Sequence, residues 1–283
     1  MNALLLILSV ITGVSQQVFR KEYNKRYTGG VYSFSVVSAI FVLLFFLLTA
    51  KYPLAMTGQT MGYATIFALS YAITTITTML AIQCGPLALT SLMVSYSTAV
   101  PTLYGFLFLK EPLTLRLGLG LLLLCISLFF INREGKKEEK TLTLRWGILA
   151  FVTFFGNGLC GTVQKAYQVT TGGAAEGEFM IFAISIVVAI LLVATLVTEK
   201  KETLSNLKQG VLWSGLCGIG NACTNYLGML LALTMPASVL YPLSSAGSIV
   251  LTAVVSILFY REKLSGMQKI GFLLGIAAIV ALS

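Results

Sequence analysis

Phe108-Leu109-Lys110-Glu111-Pro112-Leu113-Thr114 is a short charged turn between two long apolar segments. A second turn of the same kind, Phe259-Tyr260-Arg261-Glu262-Lys263-Leu264-Ser265, lies at the corresponding place in the second half of the chain. The apolar segment after each turn carries a glycine at the same place, Gly120 or Gly271. The recurrence predicts that the chain consists of two copies of one module.

Composition indicates the class of protein. The chain has 283 residues, of which 57% are hydrophobic and 10% are charged, and its mean hydropathy is +0.90. Because a soluble domain has about 25% charged residues, an integral membrane protein is predicted. The net charge of +9 comes from lysines and arginines in short loops, which is typical of membrane proteins. We therefore expect no nucleic-acid partner.

Ten segments match the length of about 20 apolar residues that a spanning helix needs. They cover residues 2–20, 30–50, 60–83, 87–109, 113–132, 144–165, 178–198, 209–234, 237–259 and 264–282. A charged linker, residues 133–143, separates a first five-helix repeat, 1–132, from a second, 144–283. Because five is odd, the second repeat enters the membrane from the opposite side. The predicted fold class is an all-α integral membrane protein with ten transmembrane helices in two inverted-topology repeats.

The positions of lysine and arginine predict how the chain lies in the bilayer. They concentrate in the loops after the first, fifth, seventh and ninth helices, and this bias places those loops in the cytoplasm and both termini outside. We expect a multi-pass protein of a cell membrane, of the bacterial inner membrane type. The lipid bilayer is then one partner, and the chain acts either as a monomer or as a homodimer.

Residue types that support metal or acid–base chemistry are scarce. The sequence has no histidine and no aspartate, and its five cysteines form no CxxC pair. We therefore expect no metal site, no cofactor and no enzymatic activity. All ten acidic residues are glutamates, and none lies in the middle of a predicted helix. This pattern disfavours a proton-coupled exporter that uses a central carboxylate.

Polar side chains recur at helical spacing inside the apolar segments. Asn221 and Asn225 share one face of the eighth predicted helix. Lipid offers no partner for an amide, so these side chains must face protein or water. They either pack neighbouring helices together or line a central cavity. The candidate substrate-binding residues are Gln16, Tyr71, Thr74, Ser95, Tyr96, Asn157, Asn221, Asn225, Tyr241 and Ser245.

Two cationic residues lie near helix ends in matching places of the two halves, Arg20 and Lys165. Each follows a glycine by seven positions, Gly13 or Gly158. These cations either neutralise a substrate carboxylate or mark the membrane interfaces.

In the tenth predicted helix a GxxxG motif permits close helix packing, within one chain or between two chains.

Together, the ten helices and the two turns resemble the drug/metabolite transporter superfamily, in its ten-helix EamA-like branch. The family signature G-E-x-[LI]-[ST] is similar to 111–114 and 262–265, with Lys110 and Arg261 in place of the glycine. The family's early Trp-Gly pair is represented only by Thr12-Gly13 and Phe155-Gly156. The resemblance implies a secondary transporter whose cavity is lined by helices 1, 3, 4, 6, 8 and 9, and it favours cytoplasmic termini.

These features predict a secondary transporter for a small neutral or zwitterionic metabolite, with an amino acid among the candidates. Transport would proceed by alternating access through a central cavity between the repeats. The alternative is a proton-coupled multidrug exporter of amphipathic cations, which needs a protonatable carboxylate such as Glu22 or Glu178. A lipid-modifying enzyme lacks a suitable acid–base set, and a scaffold has no need of two-sided pseudo-symmetry.

Overall fold

A computed structural model describes residues 2–27, 29–50, 56–84, 93–94, 96–133, 143–199, 208, 210–260 and 266–282. Within these ranges the regular structure is entirely helical. The helices are α1 Asn2–Arg26, α2 Val31–Thr49, α3 Gly58–Cys84, α4 Ala99–Leu107, α5 Leu115–Arg133, α6 Leu144–Thr171, α7 Glu176–Thr198, α8 Val211–Thr234, α9 Ala237–Tyr260 and α10 Gly266–Leu282.

Among the described residues, five helices are long and apolar enough to cross a membrane: α1 over Asn2–Arg20, α2, α6, α7 and α8. Shorter apolar stretches lie in α5, α9 and α10. Large apolar side chains point outward from the bundle, as at Leu4, Leu273 and Val280. Water would make such a surface costly, whereas lipid solvates it. The prediction of an all-helical, membrane-embedded protein is confirmed, and ten membrane crossings stay a prediction.

Helix pairs recur between the two halves of the chain. The helix α1 packs against α8 and α9, and α6 packs against α3 and α4. Likewise, α2 packs against α8 and α7 packs against α3. The pairs α2 with α7, α4 with α9, and α5 with α10 join corresponding helices of the two halves. Exchanging α1–α5 for α6–α10 returns each of the pairs named so far. Among the described residues, the contacts of α9 with α10 and of α6 with α8 have no counterpart of similar extent in the first half. The predicted division at 1–132 and 144–283 stays a prediction, and residues 134–142 of the linker lie outside the described part.

The main apolar core lies between α2, α3, α6, α7 and α8. Its largest buried side chains include Phe46, Phe67, Phe179, Ile184 and Met229. A separate, smaller cluster joins α5, α9 and α10. Because the main core joins helices from both halves of the chain, the two halves do not fold around separate centres.

The first of the two repeated turns connects the halves through Glu111. One oxygen of its carboxylate accepts the backbone N–H of Ala237 at 2.8 Å, and the other accepts that of Ser238 at 2.7 Å. These are orphan donors of the first turn of α9, so Glu111 caps that helix. Before it, Lys110 adopts a left-handed backbone with φ of +54°. That conformation suits glycine.

Glu199 caps α2 in the same way. Its carboxylate accepts backbone N–H groups from Tyr32 at 2.8 Å and Ser33 at 3.2 Å, and the Ser33 hydroxyl also donates to it. Nearby, the Tyr23 hydroxyl donates to the carbonyl of Gly30 at 3.0 Å. Burial, and then the charge of Glu199, raises the pKa of Tyr23 to about 12. The hydroxyl therefore remains a donor throughout the physiological pH range.

The fourth predicted segment, 87–109, is described only in part, because residues 85–92 and 95 lie outside the described residues. Met93, Val94 and Tyr96 are helical, a turn follows at Ser97 and Thr98, and α4 begins at Ala99. Pro101 cannot donate to the carbonyl of Ser97. That carbonyl instead accepts the N–H of Val100 at 3.1 Å in a tighter turn. The missing N–H of Pro101 thus accounts for the turn before α4.

The GxxxG motif of α10 packs within the chain, against α5. The Ser127 hydroxyl donates to the carbonyl of Gly271 at 2.6 Å. A Cβ added at Gly275 would lie 3.1 Å from the Ser127 hydroxyl oxygen. The small residues of α10 therefore allow close approach of α5.

Candidate functional site

Close packing of α1 and α8 places several polar side chains together. A Cβ added at Gly220 would lie 3.2 Å from side-chain atoms of both Gln16 and Ser15, so this position accepts no larger residue without a shift. One turn further along α8, the Thr224 hydroxyl shares a hydrogen bond of 2.9 Å with the Thr12 hydroxyl. It also accepts the Gln16 Nε2 at 2.9 Å.

Asn221 is the centre of these contacts. Its Nδ2 donates to Oε1 of Gln16 at 2.9 Å. Its Oδ1 accepts the hydroxyl of Tyr71 at 3.2 Å and Nδ2 of Asn225 at 2.9 Å. Three of the predicted site residues, Gln16, Tyr71 and Asn225, therefore meet at a fourth.

Gln164 extends the contacts to α6. Its Nε2 donates to Oδ1 of Asn225 at 2.8 Å. The connected side chains, here called the polar network, are Gln16, Tyr71, Gln164, Asn221, Thr224 and Asn225. They belong to α1, α3, α6 and α8, so two helices of each half of the chain contribute. Gln16 is buried, and the other members are partly exposed.

Arg20 lies one turn beyond Gln16 on the same face of α1. Its neighbours include Cys217 of α8 and Tyr71 of the polar network. The Nε atom of Arg20 is buried and has no hydrogen-bond partner among the described residues. A buried donor without a partner is unusual and calls for an explanation.

Lys165, the counterpart of Arg20 in the second half, is fully engaged at a helix end. Only 4% of its side chain is exposed. Its ammonium group donates to the carbonyls of Ala232 at 2.7 Å and Met235 at 2.6 Å. These are carbonyls of the last turn of α8 and the residue after it, so Lys165 caps that helix. The charge of Glu111 also acts on Lys165. Lys165 is thus a structural cap that lies buried inside the bundle.

The remaining predicted residues lie apart from the polar network. Asn157 donates to the hydroxyl of Ser97 at 2.6 Å, in the turn before α4. The Tyr241 hydroxyl donates to the carbonyl of Gly161 at 2.5 Å and so joins α9 to α6. Ser245, also on α9, is buried with 7% exposure.

Thr74, Tyr96 and Ser95 complete the predicted set. Thr74 packs against Gly156, and its buried hydroxyl has no hydrogen-bond partner in the described part of the chain. Tyr96 packs against the apolar cluster of α5, α9 and α10. Ser95 lies outside the described residues. The structure therefore gathers four of the ten predicted residues, Gln16, Tyr71, Asn221 and Asn225, in the polar network.

Gln164 and Thr224 belong to the polar network although neither is among the ten predicted residues. Gln164 is a polar residue inside an apolar segment, and that signal alone could have placed it in the set. Thr224 follows Asn221 by three positions, within reach of the same face. Its hydroxyl could equally have bonded only its own helix, as it also does with Gly220 at 2.8 Å. Spacing alone could not distinguish these two uses.

This fold is found among solved structures. No family model matches the chain, and no curated protein matches it. One crystal structure matches over 99% of this chain and 97% of its own, with a TM-score of 0.73 and 13% sequence identity. At that identity the likeness shows the fold alone.

Proposed function

We propose that the protein is a secondary transporter that moves a small neutral or zwitterionic metabolite by alternating access between its two halves. The observation that carries this proposal is the polar network on α1, α3, α6 and α8. Polar side chains within membrane helices are costly and usually mark a substrate or ion pathway. The helix pairs that recur in both halves support a two-sided mechanism.

The chemistry of the network suits an uncharged or zwitterionic solute. The network contains four amide side chains and two hydroxyl groups, which together supply both hydrogen-bond donors and acceptors. No carboxylate belongs to the network as described, and the cationic Arg20 lies beside it. A positive charge at this place repels cationic solutes. This electrostatic environment supports the neutral or zwitterionic class over amphipathic cations.

The strength of the hydrogen bonds is compatible with a site that opens and closes. Interhelical hydrogen bonds between uncharged side chains in membrane proteins contribute about 0.6 kcal/mol each. A solute that offers equivalent donors and acceptors can replace them at little cost. Since Asn221 to Gln16 and Gln164 to Asn225 each join helices that contact one another, exchange of these bonds would couple solute binding to helix separation.

Membership of the drug/metabolite transporter superfamily is part of the proposal. Glu111 supports it, because the glutamate of the signature caps α9 across the two halves. The left-handed backbone at Lys110 also supports it, because the signature has glycine there.

A thermal-shift screen of the purified protein tests the proposal. The probes are amino acids, nucleosides and hexoses on one side and quaternary ammonium cations on the other. A ligand at 100 times its Kd stabilises the folded state by about 2.7 kcal/mol. We expect stabilisation by a neutral or zwitterionic probe, and we expect Asn225→Ala to abolish it.

Thr234→Ala is the matched control for that screen. Thr234 is exposed on the same helix, and among the described residues its hydroxyl bonds the carbonyls of Leu230 and Leu231 of its own helix. Each variant is compared with its own ligand-free unfolding temperature, so a general loss of stability does not count as a loss of binding. Stabilisation only by quaternary cations, unchanged in Asn225→Ala, would overturn the proposal in favour of a cation exporter.

A further inference from the structure

Arg20 and Lys165 occupy matching places in the two halves but have different surroundings. Lys165 donates to two backbone carbonyls and has the carboxylate of Glu111 nearby. Arg20 instead has a buried Nε without a partner among the described residues. The structure therefore supplies hydrogen-bond acceptors for the ammonium group of Lys165. For Arg20, it leaves the Nε donor without an acceptor among the described residues.

Among the described residues, the groups that act on the charge of Arg20 are Cys217 and Tyr71. A thiol and a phenol are both largely neutral at pH 7, so neither balances that charge. A guanidinium offers five N–H donors in a planar fork and stays protonated. A charge inside a membrane protein that lacks a protein partner commonly marks a ligand pathway. The position thus suits an anionic group that arrives with a solute.

We propose that Arg20 binds the carboxylate of the transported solute, which makes that solute an amino acid or a related carboxylic acid. This inference rests on the proposed function and names its substrate class. Arg20 and Gln16 lie on the same face of α1, one turn apart. A solute with its carboxylate on Arg20 therefore reaches the polar network with the rest of its body.

The polar network offers acceptors for the ammonium end of such a solute. Among the described contacts, Oε1 of Gln16 accepts one hydrogen bond, from Asn221, and Oδ1 of Asn225 accepts one, from Gln164. A carbonyl oxygen has two lone pairs, so each retains capacity for a second donor. The order along the site is then a guanidinium for the carboxylate, followed by amide oxygens for the ammonium.

A carboxylate fits this place better than a phosphate monoester. A phosphate monoester carries a charge of about −1.5 to −2 at neutral pH, whereas one guanidinium supplies a single positive charge. Lys165 cannot supply a second, because its ammonium group caps α8. A carboxylate of charge −1 and the Arg20 guanidinium of charge +1 form a pair without net charge. The electrostatic cost of burying that pair is therefore low.

Matched pairs of probes test the inference. The full-length protein, purified and reconstituted in vesicles, is assayed for binding and uptake of each L-amino acid and of its amide, which lacks the carboxylate charge. Nucleosides, hexoses and hexose phosphates complete the panel. The variants are Arg20→Gln, Arg20→Lys and, as a structural control, Lys165→Met.

The inference predicts that the wild type prefers at least one amino acid over its amide, by about 10- to 100-fold, the range for a charge-assisted hydrogen bond. Arg20→Gln should remove that preference, and Arg20→Lys should retain part of it. Lys165→Met should lower the unfolding temperature but leave the ratio of acid to amide unchanged. That ratio is independent of stability, so a structural role of Arg20 would not alter it.

Four results would overturn the inference. Equal binding of acid and amide, or an acid preference that survives Arg20→Gln, would remove Arg20 from the site and leave the transporter proposal standing. Binding of hexose phosphates alone would replace the carboxylate with a phosphate. Failure of every carboxylate and every neutral probe to bind or to enter the vesicles would overturn both proposals together.

Discussion

The carboxylate of Glu111 accepts the backbone N–H of Ala237 at 2.8 Å, although 126 positions separate the two residues in the chain. Glu111 belongs to the turn after α4, and Ala237 begins α9. One side chain of the first half thus completes the N-terminus of a helix in the second half. The repeated turn therefore has a structural role as a cap between helices, in addition to connecting two segments.

Glu111→Ala should destabilise the protein. Loss of a helix N-cap costs about 0.5–2 kcal/mol, and two buried donors on α9 lose their acceptor. Glu111→Gln should cost less, because an amide oxygen still accepts one N–H while the favourable charge at the helix terminus is lost. Thermal unfolding of the purified variants in detergent checks both values. Equal stability of wild type and Glu111→Ala would contradict the capping role.

Lys110→Gly should stabilise the protein. Lys110 has φ of +54°, and a left-handed conformation costs a non-glycine residue about 1–2 kcal/mol. Glycine removes this strain, although its greater freedom in the unfolded chain reduces the gain. We expect a net increase of about 0.5–1 kcal/mol, measured by the same unfolding experiment. Lys110→Ala, which keeps a Cβ at this position, is the control and should show no comparable gain.

Gly218→Ala should loosen the packing of α8 against α2. A Cβ at Gly218 would meet the backbone carbonyl oxygen of Ser38 and lie 2.7 Å from Cβ of Phe41. Backbone atoms cannot rotate away, so the helices must separate. Overpacking of this kind costs about 1–3 kcal/mol.

Gly228→Ala is the matched substitution on the same helix. Nothing lies within 4 Å of a Cβ added at Gly228, so only the helix propensity changes. Alanine is favoured over glycine inside a helix by about 1 kcal/mol. We expect Gly218→Ala to lower the unfolding temperature and Gly228→Ala to raise it slightly. A similar effect of both substitutions would contradict the close contact between α2 and α8.

Hydropathy predicts the helices well because membrane helices need long apolar runs. Nine of the ten predicted segments differ from α1–α3 and α5–α10 by only a few residues at each end. The fourth, 87–109, is described only in part: Met93, Val94 and Tyr96 are helical, and α4, Ala99–Leu107, follows a turn at Ser97 and Thr98. Pro101 explains the turn that precedes α4, since it leaves the carbonyl of Ser97 to accept the N–H of Val100. Whether a proline kinks or interrupts a helix depends on local contacts that hydropathy does not measure.

The candidate site was predictable only in part. Helical spacing placed Asn221 and Asn225 on one face, and in the structure both join the polar network. Periodicity gives the face of a helix but not the helix that lies opposite. The contact of Gln164 with Asn225 depends on α6 packing beside α8, which follows from the tertiary fold.

The two cations show the same limit. Arg20 and Lys165 look equivalent in sequence, each seven positions after a glycine. Their difference lies in backbone atoms that are distant in the chain, because Lys165 reaches the carbonyls of Ala232 and Met235. No local pattern around Lys165 encodes that contact.

Uptake into reconstituted vesicles tests the proposed transport function most directly. Vesicles with wild-type protein, with Asn225→Ala and without protein are exposed to a mixture of amino acids, nucleosides and hexoses, and the contents are measured by mass spectrometry. We predict that at least one solute enters the wild-type vesicles faster than the protein-free vesicles. We also predict that Asn225→Ala returns its rate to the protein-free value. Identical entry of every solute into all three kinds of vesicle would contradict the proposal that the polar network forms a transport site.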